Sequence, residues 1–213
     1  MRFHDRREAG RLLAERLARY VGTDDLLVLG LPRGGVPVAF EVARALRAPL
    51  DVFVVRKLGV PGYAELALGA VASGGVRVLN EDVVAAVGLD KDAIERVAER
   101  ELAEVERRER EYRGGRPPLE LRGKVAILVD DGLATGASMR AAALAARELG
   151  PKQVIVAVPV AADQTCDEFR HDVDEVVCAF TPEPFYAVGL WYENFEQTSD
   201  EEVRELLQQP AAA

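Results

Sequence analysis

Short runs of Val, Ile and Leu recur along the chain, at Leu26–Leu29, Val52–Val55, Val125–Val129, Val154–Val158 and Val173–Cys178. They show little apolar/polar alternation, as expected of strands covered on both faces. Helical patterns lie between them, such as Val36–Leu46 and Ser138–Leu149, with Gly or Pro at the joints. Strands that alternate with helices predict an α/β fold, a mostly parallel twisted sheet flanked by helices. Ligands of such sheets gather beyond the carboxyl ends of the strands, so the loops that follow strands are the places to look for chemistry.

Two segments depart from this rhythm. Asp90–Arg113 is a long charged stretch in which acid precedes base by four residues at Asp92/Arg96, Glu104/Arg108, Glu106/Arg110 and Glu109/Arg113. That spacing supports a helix in water. Ile94, Val97, Leu102, Val105 and Tyr112 give it only a narrow apolar stripe, so it reads as an extra, solvated surface helix. Gly114–Pro118 then breaks the pattern as a linker. In the tail, Ser199-Asp-Glu-Glu202 has the form of a capping box that starts a short helix, and Gln208–Ala213 is expected to fray.

The bulk properties exclude several classes. The net charge of −9 repels phosphate backbones and argues against a nucleic-acid partner. No apolar run reaches the length of a bilayer span, and residues 1–20 lack the apolar stretch of a signal peptide. Cys166 and Cys178 make no CxxC pair, and with His4 and His171 they offer no structural zinc pattern. A reducing cytoplasm is the expected compartment.

The densest chemical signal is Ala126-Ile-Leu-Val-Asp-Asp-Gly-Leu-Ala-Thr-Gly-Ala-Ser-Met139. A buried strand ends in two adjacent acids, Asp130 and Asp131. A small-residue loop (Gly132, Leu133, Ala134, Thr135, Gly136) leads through Ala137 and Ser138 into an Ala-rich helix. Glycines let backbone amides close around an anion, and a helix N-terminus adds donors and partial positive charge. Adjacent carboxylates suit the hydroxyls of a polyol. A ligand with a phosphate beside a diol satisfies both halves, whereas a plain helix cap explains only part of the string.

This string resembles the ribose-phosphate motif of the type I phosphoribosyltransferases, with the likeness covering roughly residues 20–180. By that resemblance, Asp130 and Asp131 are the catalytic acids that hold the ribose hydroxyls of phosphoribosyl pyrophosphate (PRPP). Gly132–Ser138 receive its 5-phosphate. A second loop, Leu31-Pro-Arg-Gly-Gly35, follows the first strand. Read from its residues it is an anion nest with Arg33 as a clamp. The resemblance makes Pro32, Arg33, Gly34 and Gly35 a pyrophosphate loop, where some members strain a non-proline peptide bond. Arg56 and Lys57 end a further strand in Val55-Arg-Lys-Leu-Gly-Val-Pro-Gly62. The resemblance adds them to the pyrophosphate site and places a flexible loop at roughly 57–75. The aromatic cluster Pro184–Phe195 reads as a core cap, and by the resemblance as a hood over the base, with Tyr186, Val188 and Trp191 as base contacts.

The implied architecture is a single domain over 1–213, a core at roughly 20–180 and a hood at roughly 181–213, to which the N-terminal helix 5–20 is a candidate addition. The implied reaction is transfer of the phosphoribosyl group from PRPP to a purine-like base in nucleotide salvage. Mg²⁺ is held through PRPP oxygens rather than by a protein metal site, and a homo-oligomer is compatible with this. The cues for the base conflict. PRGG resembles xanthine- or guanine-type members, RKLGVPG adenine-type ones, and Ala134 stands where hypoxanthine-guanine enzymes carry an acid. The rival reading is a PRPP-binding regulator without transferase activity. A DNA-binding regulator of the usual kind needs an N-terminal winged helix, for which the residues before the first strand are too few. Hydrolase readings are poor, because no GxSxG occurs and Asp130 and Asp131 are adjacent where a haloacid-type phosphatase needs an Asp-x-Asp start.

Overall fold

The computed structural model describes residues 2–60, 63–88 and 90–209, with backbone alone at 63–66. Helix α1 (Arg6–Arg16) leads into β1 (Leu26–Gly30), α2 (Gly35–Leu46) and β2 (Leu50–Val52). An insertion follows, made of β3 (Val55–Val60), β4 (Tyr63–Ala72), β5 (Val76–Leu79), α3 (Glu81–Val87) and α4 (Lys91–Arg113). The main sheet resumes with β6 (Val125–Val129), α5 (Ala137–Glu148), β7 (Gln153–Val160), α6 (Asp163–Phe169) and β8 (Glu175–Phe180), and α7 (Asp200–Gln208) comes last. The main sheet runs in the order β2-β1-β6-β7-β8, with every pair parallel.

Both faces of this sheet are covered, which is why its strands show so little alternation. Leu26 and Val28 of β1 join a core with Leu13, Val38, Phe40 and Val203. Their neighbours Leu27 and Leu29 join the opposite core with Met139, Ala142 and Ala146 of α5. The first strand pairs directly with β6, Gly30 opposite Val129. The two loops expected to bind anions therefore emerge side by side.

The stretch expected as a flexible loop is largely strand. β3, β4 and β5 form a separate antiparallel sheet; Pro61 and Gly62 lie outside the described residues. The run Val52–Val55 is likewise two elements, because Phe53 and Val54 separate β2 from β3. The insertion hid in the sequence because it too is covered on both sides. Leu58, Leu68 and Val71 pack with Ile94, Ala98 and Val105 of α4, while Ala72, Val76 and Val78 pack toward Leu149 at the end of α5. Helix α4 is thus a cover for this sheet and not merely a solvated rod. Of its expected pairs, Glu104/Arg108 and Glu106/Arg110 form, at 2.8 and 3.7 Å. Arg113 instead reaches Asp51 at 3.0 Å, both side chains nearly buried. The tail helix has the expected cap, with Ser199 accepting from the amide of Glu202. Pro210–Ala213, part of the segment expected to fray, lie outside the described residues.

Cys166 of α6 and Cys178 of β8 form a disulfide, which the expectation of a reducing compartment did not anticipate. Closing a loop of 12 residues stabilises a fold by about 3 kcal/mol in the chain-entropy account. Thermal melts with and without a dithiol reductant should differ by roughly 6–12 °C. Coincident melts would mean that the two thiols stay apart in solution.

Candidate active site

The two loops interlock at the carboxyl edge of the sheet. Leu31 N–H donates to the Val129 carbonyl at 2.8 Å, and Gly35 N–H turns back to Leu31 O at 3.0 Å. A Cβ at Gly35 would lie 2.5 Å from Val129 O and 2.8 Å from Asp130 Cα; one at Gly34 would collide with the Asp131 carboxylate. Only glycine allows this approach. Pro32 and Arg33 are joined by a cis peptide bond. The Arg33 guanidinium lies half-buried, 3.7 Å from Asp200 at the start of α7.

After β6, the loop is pinned from below and open above. The Leu133 amide donates to Val160 O at 3.0 Å, and Thr165 Oγ1 of α6 donates to Ala134 O at 2.8 Å. Gly136 caps α5 with φ +68°, a left-handed conformation, and the Phe169 ring fills the space where its side chain would stand. No side chain caps α5, so its first amides are free to receive an anion. Ala134, Thr135 and Ser138 are exposed around them. A cavity of about 520 Å³ adjoins the loop, lined among others by Thr135, Ala137, Arg140 and Lys57. Strand alternation sends Arg56 to the other face, where Glu101 of α4 binds it at 2.7 Å. The expected basic pair is therefore split: Lys57 lines the cavity beside the loop after β6, and Arg56 fastens the insertion to α4.

The acids are mostly buried. Asp130 Oδ1 accepts the Asp131 amide at 2.8 Å. Burial and the charge of Asp131 push the Asp130 carboxyl well above its usual range. Burial also raises Asp131, against the opposing pull of Arg6. A carboxyl whose folded pKa is raised favours the protonated fold, so its contribution to stability is lost as pH rises through that pKa. Asp130→Asn should therefore raise the melting temperature near neutral pH. An unchanged or lower melting temperature would contradict the strained-acid account.

Asp131 already has partners within the protein. Arg6 Nε donates to its Oδ2 at 2.9 Å. The Tyr192 hydroxyl donates to its main-chain carbonyl at 2.6 Å. Neither partner was foreseen, nor was Thr165. Arg6 is one arginine among many in a helical stretch, and Tyr192 was visible only as part of an aromatic cluster.

The hood places its three expected contacts differently. Val188 sits against Gly132 of the loop. Trp191 is held between Phe180 and Phe185, with ring centroids 5.5 and 6.5 Å away. Tyr186 stands 79% exposed and stacks on nothing among the described residues. The N-terminal segment meets the hood: Phe3 N–H donates to Trp191 O and Glu193 N–H to Phe3 O, each at 2.8 Å.

Two interlocked loops with an acid pair beside uncapped helix amides, at the carboxyl edge of a mostly parallel sheet flanked by helices, define an α/β protein with a candidate anion site. The chain belongs to the phosphoribosyl transferase domain family, whose model matches residues 3–186. Two curated Mycobacterium tuberculosis proteins, from strains CDC 1551 / Oshkosh and H37Rv, are each 54% identical over 201 residues, and their names assign them provisionally as phosphoribosyl transferases. The match covers 94% of this chain and 45% of each of theirs, so the chain spans less than half the length of these relatives. The crystal structure of TT1426 from Thermus thermophilus is 47% identical, covers 97% of this chain and 98% of its own, and superposes with a TM-score of 0.87. No helix among the described residues is long and apolar enough to cross a membrane.

Proposed function

We propose that the chain is a phosphoribosyltransferase that moves the 5-phosphoribosyl group of PRPP to a purine-like nitrogenous base and releases pyrophosphate. The observation that carries this reading is the interlock of the two loops, which sets uncapped α5 amides, two acids and the PRGG turn around one edge of the sheet. The names of the mycobacterial relatives point the same way.

In this reading the α5 amides with Thr135 and Ser138 hold the 5-phosphate. Asp130 and the free lone pairs of Asp131 accept the ribose hydroxyls. Arg33 and the main-chain amide of Gly34 face the pyrophosphate, Gly35 shapes the turn through its bond to Leu31, and Lys57 approaches from the cavity side. The C1–O bond to pyrophosphate breaks as a ring nitrogen of the base bonds to C1, its N–H proton passing to the departing pyrophosphate or to water, and positive charge develops on the ribose in transit. Two acids fixed nearby favour that charge without reorganising. Hard carboxylate oxygens at Asp130 and Asp131 fit a magnesium ion that arrives with PRPP, and such an ion supplies neutralising charge for the pyrophosphate oxygens.

The test is incubation with PRPP, Mg²⁺ and a panel of purines and pyrimidines, scored for nucleotide and pyrophosphate. Nucleotide from any base supports the transferase. Ala134, whose methyl side chain cannot carry a proton, favours one alternative, a PRPP sensor. PRPP binding without product from any base would decide for that sensor.

A further inference from the structure

The reading of Asp131 as a ribose-binding acid leaves open what holds it in place. Two adjacent, mostly buried carboxylates repel each other, and a short aspartate side chain can turn away from its ligand. Arg6 meets both problems. Its side chain is only 12% exposed and that of Asp131 16%, so their attraction is little screened by water. Its Nε takes one carboxylate oxygen, while its Nη1 donates to the Glu196 carbonyl of the hood at 2.6 Å. The guanidinium lies 4.1 Å from the centre of the Phe195 ring and 6.0 Å from that of Tyr192, an arrangement that favours a planar cation. Tyr192 in turn grips the Asp131 carbonyl. Asp131 is thereby held at side chain and main chain by residues from the two ends of the chain. Gly34 packs on the same carboxylate, which leaves Oδ1 as the oxygen free to meet a hydroxyl.

We propose that Arg6 is a positioning residue for ribose recognition, acting through Asp131 rather than on the phosphates. The inference rests on the ribose-binding reading of Asp131 and adds a residue that no motif supplied.

Calorimetric titrations with PRPP plus Mg²⁺, and separately with inorganic pyrophosphate plus Mg²⁺, test it on wild type, Arg6→Met, Arg6→Lys, Asp131→Asn and the Arg6→Met/Asp131→Asn double variant. Loss of a charge-assisted hydrogen bond of this kind corresponds to about tenfold or more in affinity. Arg6→Met should weaken PRPP by that factor and leave pyrophosphate within about twofold. Arg6→Lys, which keeps the charge but loses the fork, should recover part of the loss; if Arg6→Met does not fold, the lysine variant carries the same comparison. The double variant should bind PRPP no worse than Asp131→Asn alone. Equal losses for both ligands, additive losses in the double variant, or unchanged PRPP affinity would overturn the proposal. Absence of PRPP binding by the wild type would instead defeat the ribose-binding reading beneath it.

Discussion

Asp131→Asn should lower phosphoribosyl transfer by an order of magnitude or more. Amide replacement keeps the size of the side chain but removes its charge, and with it the ion pair to Arg6 at 2.9 Å. In the proposed reaction the effect would fall on the reacting complex, where positive charge grows on the ribose; single preorganised electrostatic contacts contribute about 10²–10³ in turnover elsewhere. Steady-state rates at saturating PRPP check this. Turnover within about twofold of wild type would retire the role given to Asp131. The companion change Asp130→Asn should share the loss of turnover while gaining in melting temperature, a combination that separates a functional acid from a structural one.

Gly35→Ala has the second large effect. The added methyl would lie 2.5 Å from the Val129 carbonyl and 2.8 Å from Asp130 Cα. Both are main-chain atoms at the end of a central strand, so no rotamer change relieves the clash. Overpacking of this kind costs about 1–3 kcal/mol, and relief by separating the loops would pull the PRGG turn off the acids. The variant should lose PRPP affinity by more than about tenfold and melt several degrees lower. Calorimetry together with a thermal melt reads both. A variant with unchanged affinity and melting temperature would show that the loops do not depend on each other.

Much of this site could be read from residue order because its chemistry is local. Asp130 through Ser138 are contiguous, and a strand-to-helix turn exposes its own amides wherever it occurs. The parallel sheet was legible for a similar reason, since runs such as Val125–Val129 are buried on both faces. What escaped depends on distance in the chain. Arg6 lies 125 residues before Asp131, and Thr165 lies 31 beyond Ala134; nothing near either residue signals the pairing. The insertion was hidden because Leu58, Leu68 and Val71 are covered by α4 on one side while α5 covers the other. That removes the alternation by which an antiparallel strand is usually recognised. Arg56 was misassigned for want of one fact, the face of β3 on which Glu101 waits.

The most direct measurement is titration of PRPP with Mg²⁺ into the wild-type chain, followed by heat. Occupancy of one site per chain, with affinity that falls in Asp131→Asn, is the result expected if the turn after β6 grips a sugar phosphate. No heat at millimolar PRPP, or binding indifferent to Asp131, would contradict it.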